Sequence, residues 1–164
     1  MAAQELPGEC EEDEAELLST LAGCPSRLVL QRDFPPAWHL PLVAIATTTA
    51  GVQVWRRARR RWTCVCRLPD GGAGPLPTRL VWAPSAGRAW ELLAVAAGAR
   101  VTLFRLQGDV ATVVSVLQLD SEVLSLDWDA AGTRLATLSA DGKARLWSAS
   151  LMSTEFRVEA TLTP

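Results

Sequence analysis

The run "GVQVW" (Gly51–Trp55) recurs as "ARVTLF" (Ala99–Phe104) and "GKARLW" (Gly142–Trp147), each time an alternating apolar stretch that closes on an aromatic residue. The closing aromatics Trp55, Phe104 and Trp147 stand 49 and 43 residues apart. A second series keeps the period: "RLVWAPSAG" (Arg79–Gly87) resembles "LSLDWDAAG" (Leu124–Gly132), with Trp82 and Trp128 separated by 46 residues. A weaker first member is "RLVLQRDF" (Arg27–Phe34), where Leu30 stands in for the tryptophan. Self-similarity at one period constrains a chain strongly, because each unit must bury its apolar faces against its neighbours.

Between the two series lies a short apolar run: "LVAIATT" (Leu42–Thr48), "ELLAVAAG" (Glu91–Gly98) and "RLATLSA" (Arg134–Ala140). After each aromatic comes a fourth: "RWTCVCRL" (Arg61–Leu68), "VATVVSVLQL" (Val110–Leu119) and "FRVEATLT" (Phe156–Thr163). Turn signals, namely Ser-Ala-Gly, Ala-Ala-Gly and Asp-Gly, fall between the runs. Each period therefore predicts four antiparallel strands, a to d, in about 45 residues, the size of a WD-type β-propeller blade. Strand b lacks polar alternation and is expected to be buried on both faces. The aromatic of strand c is expected to fill the gap between blades. The fold class is all-β, with blades at 26–69, 78–119 and 122–163 after an acidic, disordered leader at 1–25. Propellers typically close with four to eight blades, so three make an unclosed, partial ring.

Of 164 residues, 49% are hydrophobic and 21% charged, which argues for an ordered chain, and a net charge of −2 gives no bulk pull towards nucleic acid or membrane. There is no basic-then-apolar secretory leader, and no apolar run approaches the roughly 18 residues of a spanning helix. Cys10, Cys24, Cys64 and Cys66 lack paired CxxC spacing. Free thiols of a soluble intracellular protein are expected, with Cys64 and Cys66 on one face of a strand. No metal and no cofactor is expected.

"SADGKARLW" carries the fullest signature. Ser139, Asp141 and Trp147 match the WD pattern of a serine on strand b, an aspartate in the b–c turn and a tryptophan ending strand c. In WD repeats a histidine from the d–a loop completes this network. Here that loop reads "LDSEV", and the single histidine, His39, lies in the first a–b loop. The other two repeats have Ala50 and Ala99 near the turn where the aspartate would stand.

Three stretches resemble the SEH (Sec-thirteen homologue) family of nucleoporins: "APSAGRAWELLAVA" (Ala83–Ala96), "DGKARLWSA" (Asp141–Ala149) and "PLVAIATTTAGVQVW" upstream. The resemblance runs from about Arg27 to Leu162 and corresponds to that family's C-terminal half. It implies a scaffold built on an open six-bladed propeller that a partner completes by donating a blade. It further implies work in the Y-shaped complex of the nuclear pore outer ring at the nuclear envelope. In many lineages a lysosomal, amino-acid-sensing complex that regulates TOR signalling is a second setting.

"WRRARRRW" (Trp55–Trp62) sets Arg56, Arg57, Arg59, Arg60 and Arg61 between two tryptophans. It is read as a solvated c–d loop, with nuclear import or phosphate binding as the sharper readings. Trp38 and Trp90 fall in a–b loops and, with these arginines, are the candidate partner surface. Trp55, Trp82, Trp128 and Trp147 are assigned to the core. There is no Gly-rich phosphate loop and no nucleophile–base pair, so no enzyme is expected. The alternative is another WD adaptor, such as a ubiquitin-ligase substrate receptor or one that contacts nucleic acid through the arginines.

Overall fold

A computed structural model describes residues 29–31, 42–47, 51–58, 61–69, 75–84, 87–150 and 155–163. The acidic leader, Cys10, Cys24, Trp38, His39, Ala50, Arg59 and Arg60 lie outside them. Among the described residues, twelve strands form three four-stranded antiparallel sheets. The first holds β1 (Val29–Gln31), β2 (Leu42–Thr47), β3 (Gly51–Ala58) and β4 (Arg61–Arg67), in that order. The second holds β5 (Arg79–Trp82), β6 (Glu91–Ala97), β7 (Arg100–Gln107) and β8 (Val110–Gln118). The third holds β9 (Val123–Trp128), β10 (Arg134–Ser139), β11 (Ala144–Ser148) and β12 (Arg157–Leu162). The sheets are three propeller blades of an unclosed ring.

The registers show what repeats. Val43 pairs with Trp55, Leu93 with Phe104 and Leu135 with Trp147, so strand c's aromatic always faces one position of strand b. On the other side, Trp82 pairs with Leu93 and Trp128 with Leu135. In the first blade the matching position is Gln31, opposite Val43. Leu30, expected in the tryptophan's place, is one residue off, and in a strand that shift changes faces.

Each strand d carries a bulge opposite this aromatic, at Val65, Val114 and Glu159. The inserted residue breaks the alternation. Cys66 consequently packs with Ala44 and Val54, whereas Cys64 packs with Val43, Ile45 and Trp55. The two cysteines, expected on one face, lie on opposite faces.

Two clusters join the blades. Ala44, Ala46, Val52 and Val54 of the first blade meet Leu80, Trp82, Leu93, Val95 and Phe104 of the second. Leu92, Ala94, Ala96, Val101 and Leu103 on the second blade's other face meet Val123, Leu126, Leu135, Trp147 and Phe156 of the third. Strands β2 and β6 are buried almost throughout, as expected. Strand β10 departs from that expectation and alternates between exposed and buried, because no strand among the described residues covers its outward face.

Candidate functional site

The WD signature resolves into two linked sets of bonds. The Trp147 indole Nε1–H donates to Thr137 Oγ1 at 3.0 Å, not to Ser139. Leu135, two residues before Thr137, faces Trp147 across the ladder, whereas Ser139 lies about 13 Å further along strand b than Leu135. Ser139 instead donates its hydroxyl to Asp141 Oδ1 at 2.6 Å, and the backbone N–H of Lys143 donates to the same oxygen at 3.2 Å. The Ser139 hydroxyl hydrogen bond leads the effects that hold the Asp141 carboxyl below its ordinary range. In place of a histidine, the d–a loop carries the exposed Asp120, which pairs with Arg145. Arg145 Nη1 then donates to Ser139 Oγ at 3.4 Å, which ties the loop to the b–c turn. Thr137, Asp120 and Arg145 lie outside the WD motif positions, so the motif carries no signal for them.

Asp129 organises the third blade's a–b turn. Its carboxylate accepts from the Thr133 N–H at 2.7 Å, the Arg134 N–H at 2.9 Å and the Thr133 hydroxyl at 3.0 Å. Burial pushes its carboxyl up, but these hydrogen bonds and the charge of Arg134 outweigh it, and the net direction is down.

Arginines and an indole lace the joints between blades. Arg56 donates to Gly108 O at 2.9 Å and pairs with Asp109 at 2.6 Å, both in the second blade's c–d turn. Arg88 donates to Gly132 O at 3.0 Å in the third blade and to Pro84 O at 2.6 Å in its own. The Trp128 indole N–H donates to Val81 O at 3.2 Å across the same joint. Gly132 has φ +65°, and a Cβ there would stand 2.6 Å from Pro84 O and 2.7 Å from the Arg88 guanidinium. Sequence reasoning missed Arg88; the "GR" of its family stretch was the available signal.

The candidate partner surface is redistributed accordingly. Strand β3 runs past Trp55 to Ala58, and Arg57 pairs with Trp62 and Ala58 with Arg61. The stretch taken as a loop is therefore mostly ladder, since alternation and a tight turn carry both strands outward. The Arg57 guanidinium lies 5.8 Å from the centre of the Trp62 ring. Trp90 is half-buried against the joint core, with Arg88 and Arg105 guanidinium carbons 4.8 and 5.7 Å from its ring centre. Burial raises both thiols, Cys64 and Cys66, above their ordinary range. Among the described residues no three His, Cys, Asp or Glu side chains gather to hold a metal ion. Nor is any described helix long and apolar enough to cross a membrane.

The third blade's outward face is the large uncovered apolar surface next to this network. Ala136, Leu138, Ala144 and Leu146 take the ladder positions that Ala44, Ala46, Val52 and Val54 hold in the first blade. Leu138 and Leu162 are 41% and 70% exposed, and the bulged Leu124 is 46% exposed.

Repeated four-stranded blades, aromatics in register and joints packed face to face define a WD-repeat propeller protein. The model of the anaphase-promoting complex subunit 4 WD40 domain matches residues 80–161, the second and third blades, and the chain belongs to this WD-repeat family. Its particular likeness is to Protein SEH1 of Arabidopsis thaliana, with 32% identity over 124 residues, 68% of this chain and 37% of that protein. Two solved structures of the Chaetomium thermophilum Polycomb Repressive Complex 2 share the fold. A humanized, inhibitor-bound form matches at TM-score 0.58 and 17% identity, covering 73% of this chain and 27% of that one. The other matches at 0.59 and 16%, covering 74% and 28%. The chain thus spans about a third of the SEH1 relative's length. It is an SEH-like WD-repeat protein.

Proposed function

We propose that this chain acts as a non-enzymatic assembly subunit of the SEH type, docking on nucleoporins of the nuclear pore outer-ring complex at the nuclear envelope. The observation that carries this reading is the third blade's outward face. It repeats the alanine and aliphatic columns by which the first blade receives the second and the second receives the third. A surface of that composition, left exposed over Leu124, Leu138 and Leu162, favours burial against a blade-like partner, and the SEH resemblance supplies the class of partner. The TOR-regulating complex at the lysosomal surface is the second setting the resemblance suggests. The nucleic-acid adaptor reading is weaker, since Arg56 is engaged with Asp109 and Arg57 lies against Trp62.

Affinity capture of the tagged chain from nuclear extract, followed by mass spectrometry, tests this. Stoichiometric outer-ring nucleoporins are the expected catch. Recovery of chaperones and degradation factors alone would overturn the proposal. Stable capture at raised salt separates apolar docking from phosphate binding, which loses affinity steeply with salt.

A further inference from the structure

Strand β8 is the outer edge of the second blade's sheet and, at nine residues, the longest strand of the twelve. Its sequence, VATVVSVLQ, contains no charge, proline or glycine. Val110, Val113 and Val116 are 63%, 41% and 51% exposed. An edge strand presents unpaired backbone N–H and C=O groups, and proteins ordinarily guard such edges with charge or proline. The other two outer strands are guarded. β4 begins at Arg61 and ends at Arg67, and β12 carries Arg157 and Glu159, ion-paired with Glu155 and Arg134.

We propose that β8 is a self-association edge, through which two copies of this chain pair antiparallel about a two-fold axis. Self-compatibility names the second copy as occupant, since β8 carries no charge to repel its own copy. Antiparallel self-pairing sets the start of a strand opposite its own end. For β8 it opposes only valine, alanine, threonine, serine, leucine and glutamine. A two-fold contact uses the same patch on both chains, so one unguarded strand suffices. The bulge at Val114 interrupts the edge and leaves two short segments, Val110–Val113 and Ser115–Gln118, to pair. Val113 and Val116, on the side facing the first blade, and Val110, on the other, would be covered on pairing. This edge is separate from the third blade's outward face, so both contacts are compatible in one assembly.

Sedimentation of the full chain over a wide concentration range reads the state directly. The expected result is a reversible shift from the 17.7 kDa chain mass to twice that value. Val113→Lys and Val116→Lys would raise the dimer dissociation constant at least about tenfold, by setting a charge on the pairing edge. Leu138→Lys, on the third blade's outward face, would leave the constant unchanged. Hydrogen exchange on the unsubstituted chain covers the case of a variant that fails to fold. Amides of β8 should exchange faster on dilution, while those of buried β6 stay the same. A single chain mass at every concentration overturns the proposal. So does a dimer that both lysines leave intact, or β8 exchange that ignores dilution.

Discussion

The indole of Trp147 reaches Thr137 because both lie beside Leu135 on the face turned to the second blade, whereas Ser139 sits at the strand's far end. Thr137→Val would leave a buried indole N–H without its acceptor, at a cost of about 1–3 kcal/mol. Ser139→Ala leaves Asp141 open to water and Arg145 still paired with Asp120, so its effect should be the smaller of the two. Denaturant midpoints of the two variants check the order, and a reversed order would mean that Ser139, not Thr137, anchors the tryptophan. The aspartates give the pH dependence. Asp129 and Asp141 both have carboxyls lowered in the folded chain, so the unfolded chain binds protons first. Their stabilisation is complete above the unfolded carboxyl value, roughly pH 4, and is lost as pH falls through the folded values. A urea midpoint measured against pH should fall on the acid side, and Asp129→Asn should flatten part of that fall. A wild-type profile with no such slope would contradict the hydrogen-bonded turn.

At the scale of elements, the strands could be read from the sequence because alternation and spacing each leave a mark. Strands a to d of the second and third repeats were legible, since Trp82, Phe104, Trp128 and Trp147 fix their registers, although β7 runs three residues past Phe104 to Gln107. The first repeat was less so: Gln31 replaces the marker tryptophan, and the apolar Leu30 stands one residue short of it. The strand d bulges left no signal at all, because Val65 and Val114 look like any other strand residue. That is why the two cysteines were set on one face. The joint arginines were hidden for another reason. Arg88 and Arg56 act on carbonyls 44 and 52 residues away, and motif spacing within one repeat does not reach that far. The joint is testable at Gly132, where a Cβ meets Pro84 O and Arg88, and φ is left-handed. Gly132→Ala should cost about 2 kcal/mol, combining backbone strain with a disturbed Arg88 contact. Thermal unfolding should show the loss. No loss would mean that the a–b turn yields without disturbing the joint.

For the whole molecule, the governing fact is that two joints are made and the third blade's outward face is not. Its ladder positions carry Ala136, Leu138, Ala144 and Leu146, a column that in the first two blades is buried under a neighbour's strands. Fully covering an exposed leucine side chain is worth about 1.5–3 kcal/mol, and Leu124, Leu138 and Leu162, 46%, 41% and 70% exposed, each offer a share of that to a docking energy. Leu138→Lys separates folding from assembly, because Leu138 is already 41% exposed in the isolated chain and gives little to its stability. The expected outcome is an unchanged thermal midpoint with capture of outer-ring subunits reduced at least about tenfold, the effect of setting an uncompensated charge in an apolar contact. A control lysine at Val116, on the β8 edge, should leave that capture intact. If Leu138→Lys lowers the midpoint instead, the face contributes to the blade's own fold. If neither midpoint nor capture changes, partners engage another surface, and the joints rather than the open face become the place to look.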